Sequence, residues 1–207
     1  MTLAAALAAG TEALHLDLDA TTHEKLLQYV ALIDKWNRVY NLTAVRAREQ
    51  MVTQHLLDSL AVAPHLSGTT LLDVGSGAGL PGIPLALARP AWRVTLLESN
   101  QKKSAFLQQA VIELALANVE VAHARVEEWV PAHAYDVVIS RAFSDLAEFM
   151  QLAGRHVAPG GMLAAMKGAY PADELARVPA PFRTAAVIPL EVPGLGAERH
   201  LVVLRKD

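Results

Sequence analysis

From Thr69 onward, short apolar runs alternate with stretches of helical periodicity, and this alternation constrains the fold more than any other feature of the chain. The runs predicted to be buried strands are TTLLDV, WRVTLLE, NVEVAHA, YDVVISR and GMLAAMK. Strands that alternate with helices usually pair in parallel, with helices on both faces of the sheet. The sequence therefore predicts an α/β fold with a doubly wound, mainly parallel, Rossmann-like sheet.

Two more strand-like runs, TAAVIPLEV and RHLVVLRK, follow near the end of the chain. They are joined through Pro193-Gly194-Leu195-Gly196, a sequence typical of a hairpin connection. We therefore expect the last strand to lie antiparallel to the rest of the sheet.

Residues 1–66 are predicted to form a helical extension ahead of the sheet domain, which spans residues 67–207. Thr21 and Glu24 have the spacing of a capping box, and the apolar residues from Leu26 to Tyr40 recur on one helical face. Asn41 is expected to break this helix. A second helix is predicted from about Glu49 to Ala63, just before a proline.

Composition excludes several classes of protein. With 53% hydrophobic and 19% charged residues, the chain can bury a sizeable core, so extensive disorder is excluded. It has no cysteine, which fits a reducing compartment. No Lys or Arg precedes Lys25, whereas a signal peptide would need a positively charged region there. We therefore expect a cytoplasmic protein that does not bind a membrane. Because the net charge is −3, nucleic-acid binding would need a local basic patch.

A glycine-rich loop follows the first predicted strand in the segment Asp73-Val74-Gly75-Ser76-Gly77-Ala78-Gly79-Leu80-Pro81-Gly82. Glycines at the end of a strand let a nucleotide-type ligand approach the backbone closely. The spacing G-x-G-x-x-G also occurs here, but in the dinucleotide fingerprint the first glycine should follow the strand directly, and Leu80 then stands where glycine is needed. The Asp73 carboxylate would repel pyrophosphate but can support the cationic methionine part of S-adenosylmethionine. We favour S-adenosylmethionine over a dinucleotide, and both over an ordinary glycine turn.

Two further segments are expected to contact the same ligand. Glu98 ends the second strand, where a carboxylate can accept hydrogen bonds from both ribose hydroxyls; the alternative is an N-cap for the helix that begins at Gln101. The segment Arg125–Trp129 follows the third strand, at the position of adenine contacts in this architecture. A short capped helix is the alternative there.

Several blocks of the sequence closely resemble the bacterial 16S rRNA guanine-N7 methyltransferases, the glucose-inhibited division protein B family. The matching blocks run over nearly the whole chain and are KWN..YNLTAVR, HLLDS, DVGSGAGLPGIP, RVEE, VISRAF, KG and GAERHLVV. The loop alone would indicate only a superfamily, whereas the Asn-Leu-Thr, His-x-x-Asp-Ser and Ile-Ser-Arg-Ala blocks are far more specific.

The resemblance implies a seven-stranded methyltransferase sheet and transfer of a methyl group from S-adenosylmethionine to guanine N7 of 16S rRNA, near the decoding site. It implies that Gly75, Leu80, Val126, Glu127 and Arg141 bind the donor. Asp73, Gly77 and Glu98 are expected to bind it from the pattern of the loop and the second strand. The expected partner is 16S rRNA within the small subunit or an assembly intermediate, with the enzyme a monomer. A small-molecule methyltransferase and a non-catalytic RNA-binding module are the alternatives.

Basic residues within or next to the matching blocks are candidates for RNA binding, and Arg141 is the candidate for positioning the reacting groups. The RNA-binding candidates are Arg46, Lys102, Lys103, Arg125, Lys167 and Arg199. Phosphate contacts from such a cluster could supply affinity despite the negative net charge. The alternative for each lysine or arginine is ordinary solvated surface charge.

Histidines and aromatic residues of the extension are interpreted as structural. His55 and Asp58 share a helical face, and we expect them to hydrogen-bond to each other rather than to bind a metal. Trp36 and Tyr40 fit a helical core face better than a base-stacking platform. No metal is expected, because no third ligand has a suitable spacing to His55 and Asp58. No general base is expected, because guanine N7 carries a lone pair and no proton.

Overall fold

The computed structural model describes residues 2–141, 143 and 145–206, so Ala142 of the Ile-Ser-Arg-Ala block lies outside the described residues. Within these residues, seven strands form one sheet in the order β3-β2-β1-β4-β5-β7-β6. The strands are β1 Thr70–Val74, β2 Arg93–Glu98, β3 Val119–His123, β4 Tyr135–Ser140, β5 Val157–Lys167, β6 Phe182–Pro189 and β7 His200–Lys206.

Strands β1 to β5 pair in parallel, and β7 runs antiparallel to both of its neighbours, β5 and β6. The hairpin between β6 and β7 contains Gly194 and Gly196 at φ of 76° and 63°, a conformation that favours glycine. The predicted mainly parallel sheet with an antiparallel last strand is confirmed.

Helices cover both faces of the sheet. The helices after β1 are α5 Gly82–Ala88, α6 Gln101–Glu113, α7 Leu146–Ala153 and α8 Ala172–Leu175. Successive strand side chains point to opposite faces, so Leu71 joins the core formed with α5 and α6, while Leu72 joins the core formed with α7. The predicted doubly wound arrangement is confirmed.

The extension begins with two long helices, α1 Leu3–Ala13 and α2 Ala20–Tyr40. The predicted capping box of Thr21 and Glu24 is wrong. Asp19 is the N-cap of α2, and its Oδ1 accepts a hydrogen bond from the backbone N–H of Thr22 at 2.7 Å. An aspartate carboxylate is among the preferred N-caps, and it starts the helix ahead of both predicted residues. Asn41 ends the helix as predicted, with φ 50° and ψ 53°.

The second predicted helix is not one regular element. It consists of α3 Arg48–Met51, a π-helical turn Val52–Leu57 and α4 Asp58–Leu60, followed by a 3₁₀ turn Ala63–His65. π-helical turns inside helices are frequent at functional sites, and this one carries Gln54 and His55 towards the end of the sheet.

Two predictions about burial need correction. Trp36 packs edge-on against Phe106, with ring centroids 5.6 Å apart. Tyr40, in the last turn of α2, stacks on Trp36 but is itself 39% exposed. β3 was expected to be buried, yet its residues are half-buried or exposed. The reason is that β3 lies at the edge of the sheet, where, among the described residues, only β2 pairs with it.

The extension packs directly on the sheet domain. Leu7, Tyr29 and Leu56 belong to the same continuous hydrophobic core as Leu71 of β1. The division at residues 66/67 stays a prediction. In the described part of the chain, no helix is both long and apolar enough to cross a membrane.

The topology places a crevice at the carboxyl ends of β1 and β4. From β1 the chain proceeds outward through β2 to β3, then returns to β4 on the other side of β1. Ligands of open α/β sheets bind at such a reversal of strand order. The glycine loop and Arg141 both follow strands that meet there.

Candidate active site

The glycine loop turns sharply between β1 and α5. Gly75, Gly77 and Gly79 have φ of 71°, 60° and 86°, values that other residues rarely adopt. The backbone N–H groups of Gly75 and Ser76 donate to the Leu97 carbonyl of β2, at 2.9 and 3.2 Å. These bonds therefore fix the loop to the sheet. Because glycine has no side chain, a ligand can approach the loop backbone closely at these positions.

Asp73 lies fully buried beneath this loop. Its Oδ2 accepts a hydrogen bond from the backbone N–H of Gly82 at 2.9 Å, and a Cβ at Gly82 would come within 2.7 Å of the same oxygen. Among the described residues, Oδ1 has no hydrogen-bond partner. Burial raises the pKa of Asp73 to about 7. Asp73 therefore supports the loop through Oδ2, while its Oδ1 remains available to accept a hydrogen bond.

Tyr29 links the extension to the loop, a contact that the sequence did not indicate. Its buried hydroxyl donates a hydrogen bond to the Ala78 carbonyl. Burial also raises the pKa of Tyr29 well above its usual value, so the hydroxyl keeps its proton. In the sequence, Tyr29 stands among the apolar residues of α2, and nothing marks it as a partner of the loop.

Glu98 also holds the loop. Its Oε2 accepts from the N–H of Gly77 and its Oε1 from the N–H of Asn100, both at 2.8 Å. The alternative reading of Glu98 as a helix cap is wrong, since Asn100 caps α6. The contact between Glu98 and ribose stays a prediction. The carboxylate has further lone pairs that could accept hydrogen bonds from the ribose hydroxyls.

An apolar cavity of about 210 Å³ opens beside Gly75 at the ends of β1, β2 and β3. It is lined by Val74, Gly75, Leu97, Ser99, Ala124, Arg125, Val126, Glu127, Phe143 and Leu152. The structure thus brings together Gly75, Val126 and Glu127, as predicted for a donor-binding site. A cavity with mainly apolar walls can take a heteroaromatic ring.

Arg155 fixes the segment that forms one wall of the apolar cavity. Its Nη2 lies 2.8 Å from the carbonyl oxygen of Val126, 2.6 Å from that of Glu127 and 3.1 Å from that of Trp129. Arg155 has no signal in the sequence, because a single arginine after α7 carries no pattern that points to a loop about 30 residues earlier.

A second cavity, the loop cavity of about 200 Å³, adjoins the glycine loop. Its lining residues are Leu42, Thr43, Gly75, Ser76, Gly77, Ala78, Leu80, Lys103 and Arg141. Gly75 therefore belongs to both the apolar and the loop cavity. The predicted donor residues Gly77 and Leu80 meet Arg141 here.

A third cavity, the polar cavity of about 380 Å³, lies on the other side of Arg141. It is lined by Gln54, His55, Asp58, Arg141, Met166, Lys167, Gly168 and Arg199. The Lys167 ammonium donates to Glu174 at 2.7 Å and to the Phe143 carbonyl at 3.2 Å. Three of the predicted basic residues are thus gathered around one opening.

Asp58 organises two of these cations. Its Oδ2 accepts from Nη1 of Arg141 at 3.2 Å, and its Oδ1 accepts from Nε of Arg199 at 2.9 Å. Nη1 of Arg141 also donates to the Gln54 carbonyl at 3.1 Å. Since Asp58 is 2% exposed, it fixes both guanidinium groups from below.

The predicted hydrogen bond between His55 and Asp58 is wrong. His55 Nε2 lies 3.0 Å from the Thr43 hydroxyl, while Asp58 pairs with the two arginines. Burial, and then the charge of Arg141, lower the pKa of His55 to about 4. Across the described ranges, no group of three or more His, Asp or Glu side chains is placed to hold a metal ion.

The remaining basic candidates are dispersed. Lys103 lines the loop cavity and Arg125 the apolar cavity. Arg46 is exposed and donates to the Asn37 carbonyl and to Oδ1 of Asn41, closing the end of α2. Lys102 is exposed on the first turn of α6. Whether these four contact RNA stays a prediction.

Solved methyltransferases share this fold. Mitomycin 7-O-methyltransferase MmcR superposes with a TM-score of 0.62 at 17% identity, over 88% of this chain and 60% of that one. The glycopeptide N-methyltransferase MtfA, solved in complex with S-adenosyl-L-methionine, gives a TM-score of 0.60 at 14% identity, over 74% and 87% of the two chains. At such low identity these likenesses support the architecture alone.

Sequence comparison identifies the family. The model of the GidB family, described as rRNA small subunit methyltransferase G, matches residues 22–202. Ribosomal RNA small subunit methyltransferase G of Nitrosospira multiformis is 56% identical over 213 aligned positions, covering 100% of this chain and 99% of that protein. The protein of the same name from Neisseria meningitidis serogroup C is 53% identical, with 97% of each chain covered. The resemblance read from the sequence blocks is confirmed, and the chain belongs to the GidB family of small-subunit rRNA methyltransferases.

Proposed function

We propose that this enzyme transfers a methyl group from S-adenosylmethionine to N7 of a guanine in 16S rRNA, near the decoding site of the small subunit. Membership of the GidB family supports small-subunit rRNA as the substrate. The sequence blocks shared with guanine-N7 methyltransferases support the atom and the region. We assign donor binding and base positioning to individual residues from the cavities that they line.

The donor fits the loop and the apolar cavity. Gly75, Gly77 and Leu80 would hold its methionine part along the loop cavity, and Val126 and Glu127 would enclose its adenine in the apolar cavity. The unpartnered, buried Oδ1 of Asp73 supplies negative charge below the loop, as a cationic ligand needs. When bound, S-adenosylmethionine supplies a methyl group activated by its sulfonium charge.

One observation carries the proposal: Arg141 lines the loop cavity on one side and the polar cavity on the other. A donor in the loop cavity and a target base in the polar cavity would therefore meet at Arg141. Lys167 and Arg199 at the same opening supply positive charge for the phosphates of an RNA strand. A small-molecule substrate would not require this cluster of cations.

The chain's residues position the reactants rather than remove a proton. Guanine N7 has a free lone pair, so its methylation needs no general base. His55, which lines the polar cavity, is hydrogen-bonded to Thr43, and its lowered pKa makes it a weak base. Holding two reacting groups in line can contribute about 7–11 kcal/mol. Arg141, fixed by Asp58, is the residue best placed to orient the base.

The proposed substrate sets the expected surroundings of the enzyme. It would act in the cytoplasm as a monomer, on the small subunit or on an assembly intermediate. Because the formal net charge is −3, contact with RNA would depend on local groups of cations such as the one at the polar cavity.

Labelling with tritiated S-adenosylmethionine tests the proposal. The enzyme is incubated in parallel with small subunits, with protein-free 16S rRNA and with a metabolite extract. We expect label in 16S rRNA, released by chemical strand cleavage at 7-methylguanine. Label in the extract alone would favour a small-molecule methyltransferase, and RNA binding without label would favour a non-catalytic module.

A further inference from the structure

The segment after β5 carries an exposed aromatic side chain beside the polar cavity. Tyr170 is 56% exposed, in contrast to the fully buried Tyr29 and Phe106. Lys167 and Gly168, which line the polar cavity, precede Tyr170 by three and two residues. Tyr170 thus closely follows two lining residues of the polar cavity in the chain, and Nη1 of Arg199 lies 4.0 Å from the point where a Cβ at Gly168 would stand.

His200 holds this ring against the sheet. The two ring centroids are 5.7 Å apart and the ring planes meet at 82°, an edge-to-face contact. His200 Nδ1 in turn lies 2.8 Å from the Gly168 carbonyl, and His200 pairs with Lys167 in the β5–β7 register. A side chain that is already held in place loses little entropy when a ligand covers it.

The groups around Tyr170 indicate which ligand its ring would meet. The three cations of the polar cavity, Arg141, Lys167 and Arg199, outnumber the two acids that they contact, Asp58 and Glu174, so the cluster keeps a net positive charge that attracts a phosphate backbone. Unpaired RNA bases stack on exposed aromatic side chains, and this stacking tolerates any base because each has a π face. Cations beside a fixed, exposed ring are thus the combination that binds single-stranded RNA.

We propose that Tyr170 stacks on an unpaired base that flanks the target guanine when the RNA enters the polar cavity. The inference rests on the proposed function, which supplies RNA as the occupant. A guanine can reach the cavity only if it leaves its own stack. A ring at the rim would hold a neighbouring base and so fix the strand while the target is inside.

Three variants test the stacking contact: Tyr170→Ala, Tyr170→Leu and Tyr170→Phe. We expect the KM for small subunits to rise roughly fivefold to a hundredfold in the alanine and leucine variants, the effect of losing one stacked base. The phenylalanine variant should keep the wild-type KM, and all three should bind S-adenosylmethionine normally. Ile112→Ala, at a still more exposed site (72%) near the C-terminal end of α6, is the control.

Photocrosslinking identifies the partner of the ring. Complexes with small subunits are irradiated and digested with trypsin, and we expect a nucleotide adduct on the peptide 168–177. An unchanged KM in Tyr170→Ala, an equal loss in Tyr170→Phe, or a crosslink from this peptide to a ribosomal protein would each overturn the inference. Failure of the wild-type enzyme to label RNA would count against the proposed function instead, and subunit binding by sedimentation would still test Tyr170.

Discussion

The carboxylate of Asp58 and the guanidinium of Arg141 lie 3.2 Å apart, and their contact joins the helical extension to the end of β4. The same carboxylate accepts from Arg199, 2.9 Å away, in the segment that leads into β7. One buried acid thus sets the positions of two cations that come from distant parts of the chain. This arrangement makes Asp58 a positioning residue for the proposed reaction.

Asp58→Ala should lower methyl transfer more than it lowers stability. Removing a buried partner of charged groups costs about 1–3 kcal/mol of unfolding free energy, and both arginines would lose their orientation. Asp34→Ala is the matched control, because Asp34 also pairs with two arginines, Arg38 and Arg48, but on the outer side of α2. Urea unfolding and single-turnover assays separate the two effects. Equal turnover in the two variants would show that Asp58 has only a structural role.

Arg141→Ala should reduce turnover on RNA more than Lys103→Ala does. Arg141 lines both the loop and the polar cavity, whereas Lys103 lines the loop cavity. Arg141→Lys should restore little activity, because an ammonium lacks the planar fork that orients a base. Initial rates at saturating donor provide the measurement. Wild-type rates in the lysine variant would mean that only the positive charge matters.

Arg155→Met should weaken S-adenosylmethionine binding while leaving the KM for small subunits unchanged. Without Arg155, the three carbonyls of the 126–129 segment lose their common donor and the wall of the apolar cavity loosens. Loss of a charged hydrogen bond of about 1.5–3 kcal/mol implies an affinity at least about tenfold lower. Calorimetric titration measures it. Arg205→Met removes a similar bond, from Arg205 to the Gly160 carbonyl, and should have no effect on donor binding.

Donor affinity should increase as the pH rises from 6 to 8. The pKa of Asp73 is raised to about 7, so its carboxyl is neutral below this value and ionised above it, and only the ionised form attracts a cationic donor. In Asp73→Asn this contribution should disappear. Since titration of the donor itself is common to both proteins, the difference between the two profiles isolates Asp73.

With donor and RNA both saturating, the single-turnover rate should instead stay nearly flat between about pH 6 and 9, because no general base takes part. A steep rise that is abolished by replacing His55 or His123 would contradict this expectation. His123 is exposed on β3, where its Nε2 lies 3.1 Å from the Ser99 carbonyl.

The sequence predicted the sheet well, because its information is local. Each run such as YDVVISR is apolar enough to mark a strand, and the glycine loop marks the end of β1. Errors arose where a neighbouring element decided the outcome. β3 is half-exposed because, among the described residues, only β2 pairs with it. Asp19 caps α2 because its carboxylate accepts a hydrogen bond from the Thr22 amide.

The candidate site was predictable only in part. Gly75, Val126 and Arg141 were found through motifs, and the structure places them at adjoining cavities. Tyr29 and Arg155 were missed because each acts on a backbone carbonyl far away in the sequence, at Ala78 and at Val126. A contact between a side chain and a distant backbone atom leaves no pattern in a single sequence.

Methyl transfer to RNA that lacks the N7 atom tests the central claim most directly. Small subunits are reconstituted with 16S rRNA in which 7-deazaguanosine replaces only the guanosine mapped by tritium labelling, and ordinary reconstituted subunits serve as the control. Both substrates should bind the enzyme with similar affinity. We predict label in the control and none in the substituted subunits. Equal labelling of the two would contradict methylation at N7 and would require a different target atom.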